Sequence, residues 1–120
     1  MFKIAGIRGA VTVEKNTRED ILGSTKELLS EIINANCLHE KDTASIIFTA
    51  TKDLDAAFPA EAARQLGWND TALLDALELD VKGSMPRVVR ILMHVNVPRD
   101  FKPKHIYLGD AAQLRPDLLE

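Results

Sequence analysis

Arginine side chains on apolar segments are the residues of this sequence best suited to chemistry. Four lie on or beside predicted strands and helices: Arg8, Arg64, Arg90 and Arg115. Arginine is mostly exposed in folded proteins, so each one alone is interpreted as a solvated or salt-bridged side chain. Arg90 differs because Val, Ile, Leu and Met surround it in a predicted central strand. A guanidinium there needs an anionic partner or a cavity, and Glu78 could form a simple buried ion pair with it.

The standard motifs of covalent, metal-assisted and nucleotide chemistry are missing from the sequence. It has no glycine-rich phosphate loop with a lysine, no dinucleotide fingerprint and no nucleophile elbow around a serine. The three histidines, His39, His94 and His105, lack metal-ligand spacing and are interpreted as surface or hydrogen-bonded residues. Cys37 is interpreted as a small packing residue late in the first helix. We therefore expect neither covalent nor metal-assisted catalysis.

Length and composition favour one ordinary globular domain. The 120 residues are 46% hydrophobic and 28% charged, with a formal net charge of −3. We expect a single domain over residues 1–120, with one modest core and little room for a deep polar pocket. The negative charge argues against nucleic acid as a partner. The longest stretch without an acidic or basic residue, 43–51, is far shorter than the roughly 20 residues of a membrane span.

The cysteine count and the N-terminal residues bear on where the protein works. A single cysteine cannot form an internal disulfide, which favours a reducing compartment. Arg8 and Glu14 interrupt the apolar N-terminal run where a secretory signal needs its hydrophobic centre. We therefore expect a cytoplasmic protein with no export signal and no membrane contact.

Two elements are predicted ahead of residue 40. Residues 2–13 are rich in Ile and Val and favour a strand, from which Arg8 projects on a face of small side chains. Thr17 and Asp20 resemble a capping box at the start of an apolar helical stripe, which ends near residues 34–36. Arg8 is therefore expected on a strand followed by a long helix.

The remaining elements are shorter. Residues 44–51 predict a strand buried on both faces, and residues 59–66 predict a short helix. Alternation over 71–81 predicts a half-buried strand, followed by a stronger alternation over 87–97 and a last strand at 105–108. In the first of these three strands the apolar positions are Leu77, Leu79 and Val81. The order β, α, β, α, β, β, β predicts a mixed sheet of the α/β class.

Fragments spread in order along nearly the whole chain resemble one known family. They are Gly6-Ile7-Arg8-Gly9-Ala10, Thr12-Val13-Glu14, Ala50-Thr51, Asp53-Leu54, Ala57-Phe58-Pro59-Ala60, Ala63-Arg64, Gly67-Trp68, Glu78, Asp80-Val81, Arg90, His105, Tyr107-Leu108 and Leu114-Arg115-Pro116-Asp117-Leu118. Each fragment is weak alone, but the ordered set is specific. The chain resembles the trimeric α/β class of chorismate mutase, which is unrelated to the all-helical class with the same activity.

The resemblance implies a fold, an assembly and a reaction. The fold is a homotrimer whose sheets form a pseudo α/β barrel, with active sites in clefts between neighbouring subunits. The reaction converts chorismate to prephenate, the committed step toward phenylalanine and tyrosine. One ether C–O bond breaks while a C–C bond forms within the same molecule, so no cofactor is needed. The protein supplies a compact substrate conformation and fixed charge.

The resemblance also implies roles for polar residues. Arg90 directs its guanidinium at the ether oxygen, which gains negative charge, and at a substrate carboxylate. Glu78 accepts a hydrogen bond from the ring hydroxyl. Arg8 and Tyr107 hold the carboxylate of the enolpyruvyl side chain, a task that suits the planar fork of arginine. Arg90 and Glu78 are thus the expected catalytic pair.

Further residues are expected to enclose the substrate. The implied walls are Phe58, Leu114 and the backbone of Leu74, Asp75 and Ala76. Arg64 and Arg115 add positive potential at the mouth of the site. Without the resemblance, Phe58, Tyr107 and Leu114 would be interpreted as plain core residues.

The sequence departs from the family pattern at the entrance and wall of the site. Glu61 stands where a basic residue is expected, which weakens attraction of a dianion. Asp75 replaces a cysteine or a small polar residue, and Leu74 replaces a hydroxyl residue. A second carboxylate near Glu78 is unfavourable, so we expect Asp75 to pair or to point away.

Two other functions are compatible with an arginine-rich cleft between subunits. One is a trimeric enamine or imine deaminase of similar architecture. The other is a regulatory trimer that binds an acidic metabolite without turnover. The ordered motifs favour the mutase over both, and conversion of chorismate separates the three.

Overall fold

A computed structural model describes the fold over residues 1–114. The order of its helices and strands is the predicted one. They are β1 (Phe2–Thr12), α1 (Arg18–Asn36), β2 (Thr43–Ala50), α2 (Glu61–Gln65), β3 (Ala72–Leu77), β4 (Val88–Pro98) and β5 (Ile106–Leu108). Short 3₁₀ helices lie at Glu40–Asp42 and Gly109–Gln113.

The five strands form one mixed sheet in the order β3-β2-β4-β1-β5. Strand β4 pairs antiparallel with both β1 and β2, whereas β5 runs parallel to β1 and β3 runs parallel to β2. The strong apolar alternation of β4 arises because one face of the sheet packs on the core while the other is more open. The predicted mixed α/β sheet is confirmed.

One face of the sheet carries the core. On this face of β4 the buried side chains are Val89, Ile91, Met93, Val95 and Val97. They share a core cluster with Ile21, Leu28, Leu29 and Ile32 from the apolar stripe of α1. Burying each such aliphatic side chain contributes about 1.5–3 kcal/mol. The opposite face of β4 carries Arg90, Leu92 and His94, which are only half-buried.

Helix α1 begins as its sequence predicts. The Thr17 hydroxyl accepts a hydrogen bond from the backbone N–H of Asp20 at 3.1 Å, which satisfies a donor of the first turn. The helix also ends within the predicted range of 34–36, at Asn36. Cys37 follows the last helical residue in the left-handed conformation, with φ of 52°, and is exposed. The interpretation of Cys37 as a packing residue is therefore wrong.

Two strand predictions also need correction. In β2 only alternate residues are fully buried, whereas Ile47 and Thr49 face a partly open side, so burial on both faces is wrong for this chain. Strand β3 ends at Leu77, and the predicted inward residues Leu77, Leu79 and Val81 are 71%, 81% and 55% exposed. Their alternation continues past the end of strand pairing, and no residue of the described region 1–114 buries them.

Candidate active site

Four of the predicted site residues line one open cleft of about 240 Å³: Arg8, Glu78, Arg90 and Tyr107. Thr49, Gly9 and the apolar side chains of Ile47, Ile91 and Leu92 complete its lining. We call it the arginine cleft. It has two guanidinium groups, one phenol and one carboxylate, a set that suits a small ligand carrying carboxylates.

Strand register brings these side chains together. Ala10 of β1 pairs with Arg90 of β4 on one side and with Tyr107 of β5 on the other. Arg8 is two residues before Ala10 and therefore points to the same face. Thr49 of β2 pairs with Arg90 on the far side of β4. The cleft thus crosses four neighbouring strands.

Gly9 allows β5 to lie close to β1. A Cβ atom at this position would come within 2.8 Å of the Ile106 carbonyl oxygen and of Ile32 Cδ1. Such distances require something to shift, so only glycine fits without rearrangement. Because Ile106 immediately precedes Tyr107, this close approach also fixes Tyr107 beside the arginine cleft.

Arg90 and Glu78 form the predicted ion pair. Arg90 Nε donates to Glu78 Oε2 at 2.5 Å, and the hydroxyl of Thr49 donates to Glu78 Oε1 at 2.6 Å. The two side chains are 39% and 17% exposed. The pair is therefore open to the cleft, which favours a working site over a closed structural pair.

Histidines support the sheet face that carries this cleft. The backbone N–H of Arg8 donates to Nδ1 of His105 at 3.0 Å, which fixes the backbone at Arg8. His94 Nδ1 lies 3.0 Å from the hydroxyl of Ser45 on the neighbouring strand. For these two residues the interpretation as hydrogen-bonded histidines is confirmed.

A second cavity holds three other predicted site residues, Phe58, Asp75 and Ala76. This Phe58 cavity measures about 560 Å³ and is also lined by Arg18 and Asp55. Asp75 does not point into the arginine cleft. It pairs across the sheet with Phe48, on the core-side face, whereas Thr49 and Arg90 lie on the other face.

Asp75 holds the turn before α2. Its Oδ1 accepts a hydrogen bond from the backbone N–H of Ala60 at 2.9 Å. Burial raises the pKa of this carboxyl, against smaller opposing effects of the Ala60 hydrogen bond and the positive charge of Arg64. The expected pairing is therefore with a backbone amide rather than with an arginine.

Glu61 is also engaged. It forms a two-pronged ion pair with Arg18, in which Nη1 lies 2.8 Å from Oε1 and Nη2 contacts Oε2. The hydrogen bond from Arg18 lowers the pKa of Glu61, which stays ionised near neutral pH. Since α1 begins at Arg18, this pair joins the starts of α1 and α2.

The remaining predicted site residues lie outside both cavities or outside the described region. Arg64 is exposed on α2, and Leu74 is 59% exposed on β3. Leu114 packs beside Ala10 and Val88 in a small separate cluster. Arg115 lies beyond residue 114, outside the described residues.

Thr49 is a polar residue of the arginine cleft that sequence reasoning missed. Its hydroxyl contacts Glu78, yet a threonine in a strand is ordinarily explained by β propensity alone. The available signal was its spacing of two residues from Ile47, which places both on the same face of β2.

Across residues 1–114 the structure has no group of three or more His, Cys, Asp or Glu able to hold a metal ion. No helix in the same region is both long and apolar enough to cross a membrane.

Comparison with known proteins gives consistent matches over nearly the whole chain. A family model described as chorismate mutase type I matches residues 4–118. The chorismate mutase AroH of Thermus thermophilus is 48% identical over 118 residues, which cover 96% of each chain. The chorismate mutase AroH of Bacillus subtilis (strain 168) is 44% identical over 118 residues, covering 96% of this chain and 92% of its own.

A solved structure agrees in fold as well as in sequence. The chorismate mutase from Clostridium thermocellum matches with a TM-score of 0.88 at 52% identity, covering 91% of this chain and 98% of its own. The architecture predicted from the sequence is thus found in a chorismate mutase. With a family model that matches residues 4–118, this chain belongs to the type I chorismate mutases, isomerases that rearrange chorismate to prephenate.

Proposed function

We propose that the arginine cleft is the catalytic half of the site that converts chorismate to prephenate. The observation that carries this proposal is the convergence of Arg8, Glu78, Arg90 and Tyr107 from separate strands on one cleft. In this arrangement Arg90 stabilises the negative charge that develops on the ether oxygen as its bond breaks. Arg8 and Tyr107 hold the enolpyruvyl carboxylate, and Glu78 accepts a hydrogen bond from the ring hydroxyl.

The proposed catalysis is positional and electrostatic. An intramolecular rearrangement needs no nucleophile, so the protein holds the substrate in the compact conformation from which the new bond forms. Fixed charges aligned with the transition state then cost no reorganisation during the reaction. The guanidinium of Arg90 has five N–H donors, and its contact with Glu78 uses one of them. The terminal amino groups carry the donors for substrate.

We propose that a neighbouring subunit supplies the other half of the site. A cleft of about 240 Å³ is smaller than the roughly 300–1,000 Å³ of typical ligand pockets, and it is open. The predicted wall residues Phe58 and Asp75 lie in a different cavity of the same chain. A head-to-tail contact would bring the Phe58 cavity of one copy over the arginine cleft of the next.

Exposed apolar side chains support this assembly. Large apolar residues that are more than half exposed in the isolated chain include Ile4, Phe58, Leu74, Leu77, Leu79 and Val81. An apolar surface of this kind marks a protein interface. The contact closes into a ring, for which we propose the homotrimer with a pseudo α/β barrel at its centre. The substrate-binding roles of Leu74, Asp75, Ala76, Arg64, Leu114 and Arg115 belong to this proposal.

The proposed domain and location follow the same reasoning. Residues 1–120 form one domain, as the single sheet and shared core of the described part support. Its exposed thiol at Cys37 suits a reducing cytoplasm. Fractionation of the producing cells, with activity measured in each fraction, tests the location.

The proposed reaction is tested with purified protein and chorismate. We expect loss of chorismate absorbance, with prephenate as the product, much faster than in buffer alone. The family match supports this outcome over the deaminase and the regulatory trimer. Binding of chorismate without conversion would favour the regulatory trimer, and no acceleration would contradict the proposed reaction.

A further inference from the structure

The carboxylate of Glu78 is held from two sides, but only one of its partners belongs to the proposed catalytic set. Arg90 Nε contacts Oε2 at 2.5 Å, and the Thr49 hydroxyl donates to Oε1 at 2.6 Å. Glu78 lies one residue beyond the last residue of β3, where the regular pairing of that strand has ended. Its backbone N–H still donates to the Ala50 carbonyl at 2.9 Å.

Thr49 offers a rigid point of reference for this carboxylate. It lies within β2, between β3 and β4, where it pairs with Ala76 on one side and with Arg90 on the other. A β-branched side chain has restricted χ1 freedom, so the direction of its hydroxyl is well defined. Thr49 therefore fixes Glu78 relative to the strand that carries Arg90.

The Thr49 hydroxyl also disfavours an alternative geometry of the ion pair between Glu78 and Arg90. A free carboxylate tends to bind the guanidinium of an arginine through both oxygens. Such a two-pronged pair would occupy a terminal amino group of Arg90 that the substrate needs. Holding Oε1 on Thr49 keeps the contact with Arg90 at Nε.

We propose that Thr49 is a positioning residue for the rearrangement, acting through Glu78 without touching the substrate. This inference rests on the proposed roles of Arg90 and Glu78. Loss of the hydroxyl should misplace charge in the transition state more than it weakens substrate binding. We expect Thr49→Val to lower kcat by about ten- to a hundredfold, since small misplacements in a site have effects of this order. KM should change by less than about threefold on the same grounds.

The experiment compares kcat and KM of the full chain, Thr49→Val and Thr49→Ser with chorismate as substrate. Serine keeps the hydroxyl, so Thr49→Ser should recover at least about a third of the original kcat. Ser45→Ala is the matched control. It removes a hydroxyl from the same face of β2, but this hydroxyl contacts His94 and not Glu78. An unchanged kcat in Thr49→Val, a Thr49→Ser variant as slow as Thr49→Val, or an effect on KM alone would overturn the inference.

Two further measurements keep the result interpretable. Thermal unfolding of each variant checks folding, and Thr49→Ala replaces Thr49→Val if the valine variant does not fold.

Arg90→Ala in the same assay tests the proposed catalytic cleft separately from the role of Thr49. An inactive Arg90→Ala with a fully active Thr49→Val overturns only the role of Thr49. A fully active Arg90→Ala overturns the proposed catalytic cleft itself.

Discussion

The arginine cleft and the Phe58 cavity are built from different parts of the sheet. Paired strands carry the cleft residues Arg8, Arg90 and Tyr107, and hydrogen bonds fix the carboxylate of Glu78. The Phe58 cavity is formed by an edge strand and the loop before α2, and Phe58 itself is 69% exposed. Strand pairing and hydrogen bonds thus fix the charged groups of the arginine cleft, whereas a loop supplies much of the wall of the Phe58 cavity. A neighbouring subunit is proposed to contact that cavity.

The two regions also differ in charge. The arginine cleft has two arginines and a single carboxylate. Carboxylates are more numerous around the Phe58 cavity than in the arginine cleft. Asp55 and Asp75 line its wall, and Glu61 lies close by on α2. The net charge of −3 for the whole chain therefore hides a local excess of positive charge in the arginine cleft. This contrast predicts a large catalytic effect of removing Arg90 from the cleft and smaller effects of changing the acidic residues Glu61 and Asp75 beside the cavity.

The largest expected effect is at Arg90. Arg90→Ala should lower kcat by about a thousandfold or more, a loss of about 4 kcal/mol of transition-state stabilisation. The reason is that alanine leaves the charge on the ether oxygen unopposed, which matters in the transition state more than in the ground state. Steady-state kinetics with chorismate measure this decrease in kcat.

Arg99→Ala is the matched control for that experiment. Arg99 follows the end of β4, is exposed, and contacts the sulfur of Met1 instead of a carboxylate. Its removal changes the net charge equally but should leave kcat unaltered. A variant of Arg90 that lost only substrate affinity would contradict the role given to it.

A smaller effect is expected at Glu61, beside the Phe58 cavity. Glu61→Lys replaces a carboxylate by an ammonium group and breaks the ion pair with Arg18. The added positive potential should raise kcat/KM by about threefold at low ionic strength, and salt should suppress the gain. Assays at two salt concentrations measure it. A gain that is equal at both would show that the change acts through structure instead of through charge.

The smallest effect is expected at Asp75, and it concerns stability. Burial raises the pKa of Asp75 in the folded chain, so the folded state keeps its proton to higher pH than the unfolded state does. The original chain should therefore lose stability relative to Asp75→Asn as pH rises above about 4, the ordinary range of this carboxyl. Asparagine can still accept the Ala60 hydrogen bond through its side-chain oxygen.

Urea unfolding of both proteins at pH 4 and pH 7 checks that prediction. At each pH, the free energy of unfolding of the original chain is subtracted from that of Asp75→Asn. This difference should be larger at pH 7 than at pH 4. A difference of the opposite sign would mean that the Ala60 hydrogen bond and the charge of Arg64 together outweigh the effect of burial on this carboxyl.

Most of the fold could be predicted because alternation and capping are local signals. The alternation of β4 and the Thr17 cap are both present as expected. The same rule failed at Leu79 and Val81 because a period of two does not reveal where a partner strand ends. Local patterns also do not distinguish a side chain that enters the core of its own chain from one that, as we propose, contacts a neighbouring subunit.

The candidate site could be predicted only in part. The pair of Arg90 and Glu78 was accessible because a guanidinium in an apolar strand requires an anion. Thr49 was not, since its role depends on register between strands. The separation of Phe58 and Asp75 from the arginine cleft was equally hidden, because it is a property of the folded chain.

Mixing two inactive variants tests the central claim, that each site combines the arginine cleft of one subunit with the Phe58 cavity of another. Arg90→Ala disables the cleft, and Phe58→Asp disables the cavity by facing a dianionic substrate with a carboxylate. Each variant alone should be nearly inactive. When the two variants are coexpressed in equal amounts, half of the clefts and half of the cavities are intact. Random assembly then combines an intact cleft with an intact cavity in about one site of four, so about a quarter of the original activity should return. No recovery, with mixed assemblies demonstrated, would contradict the shared site.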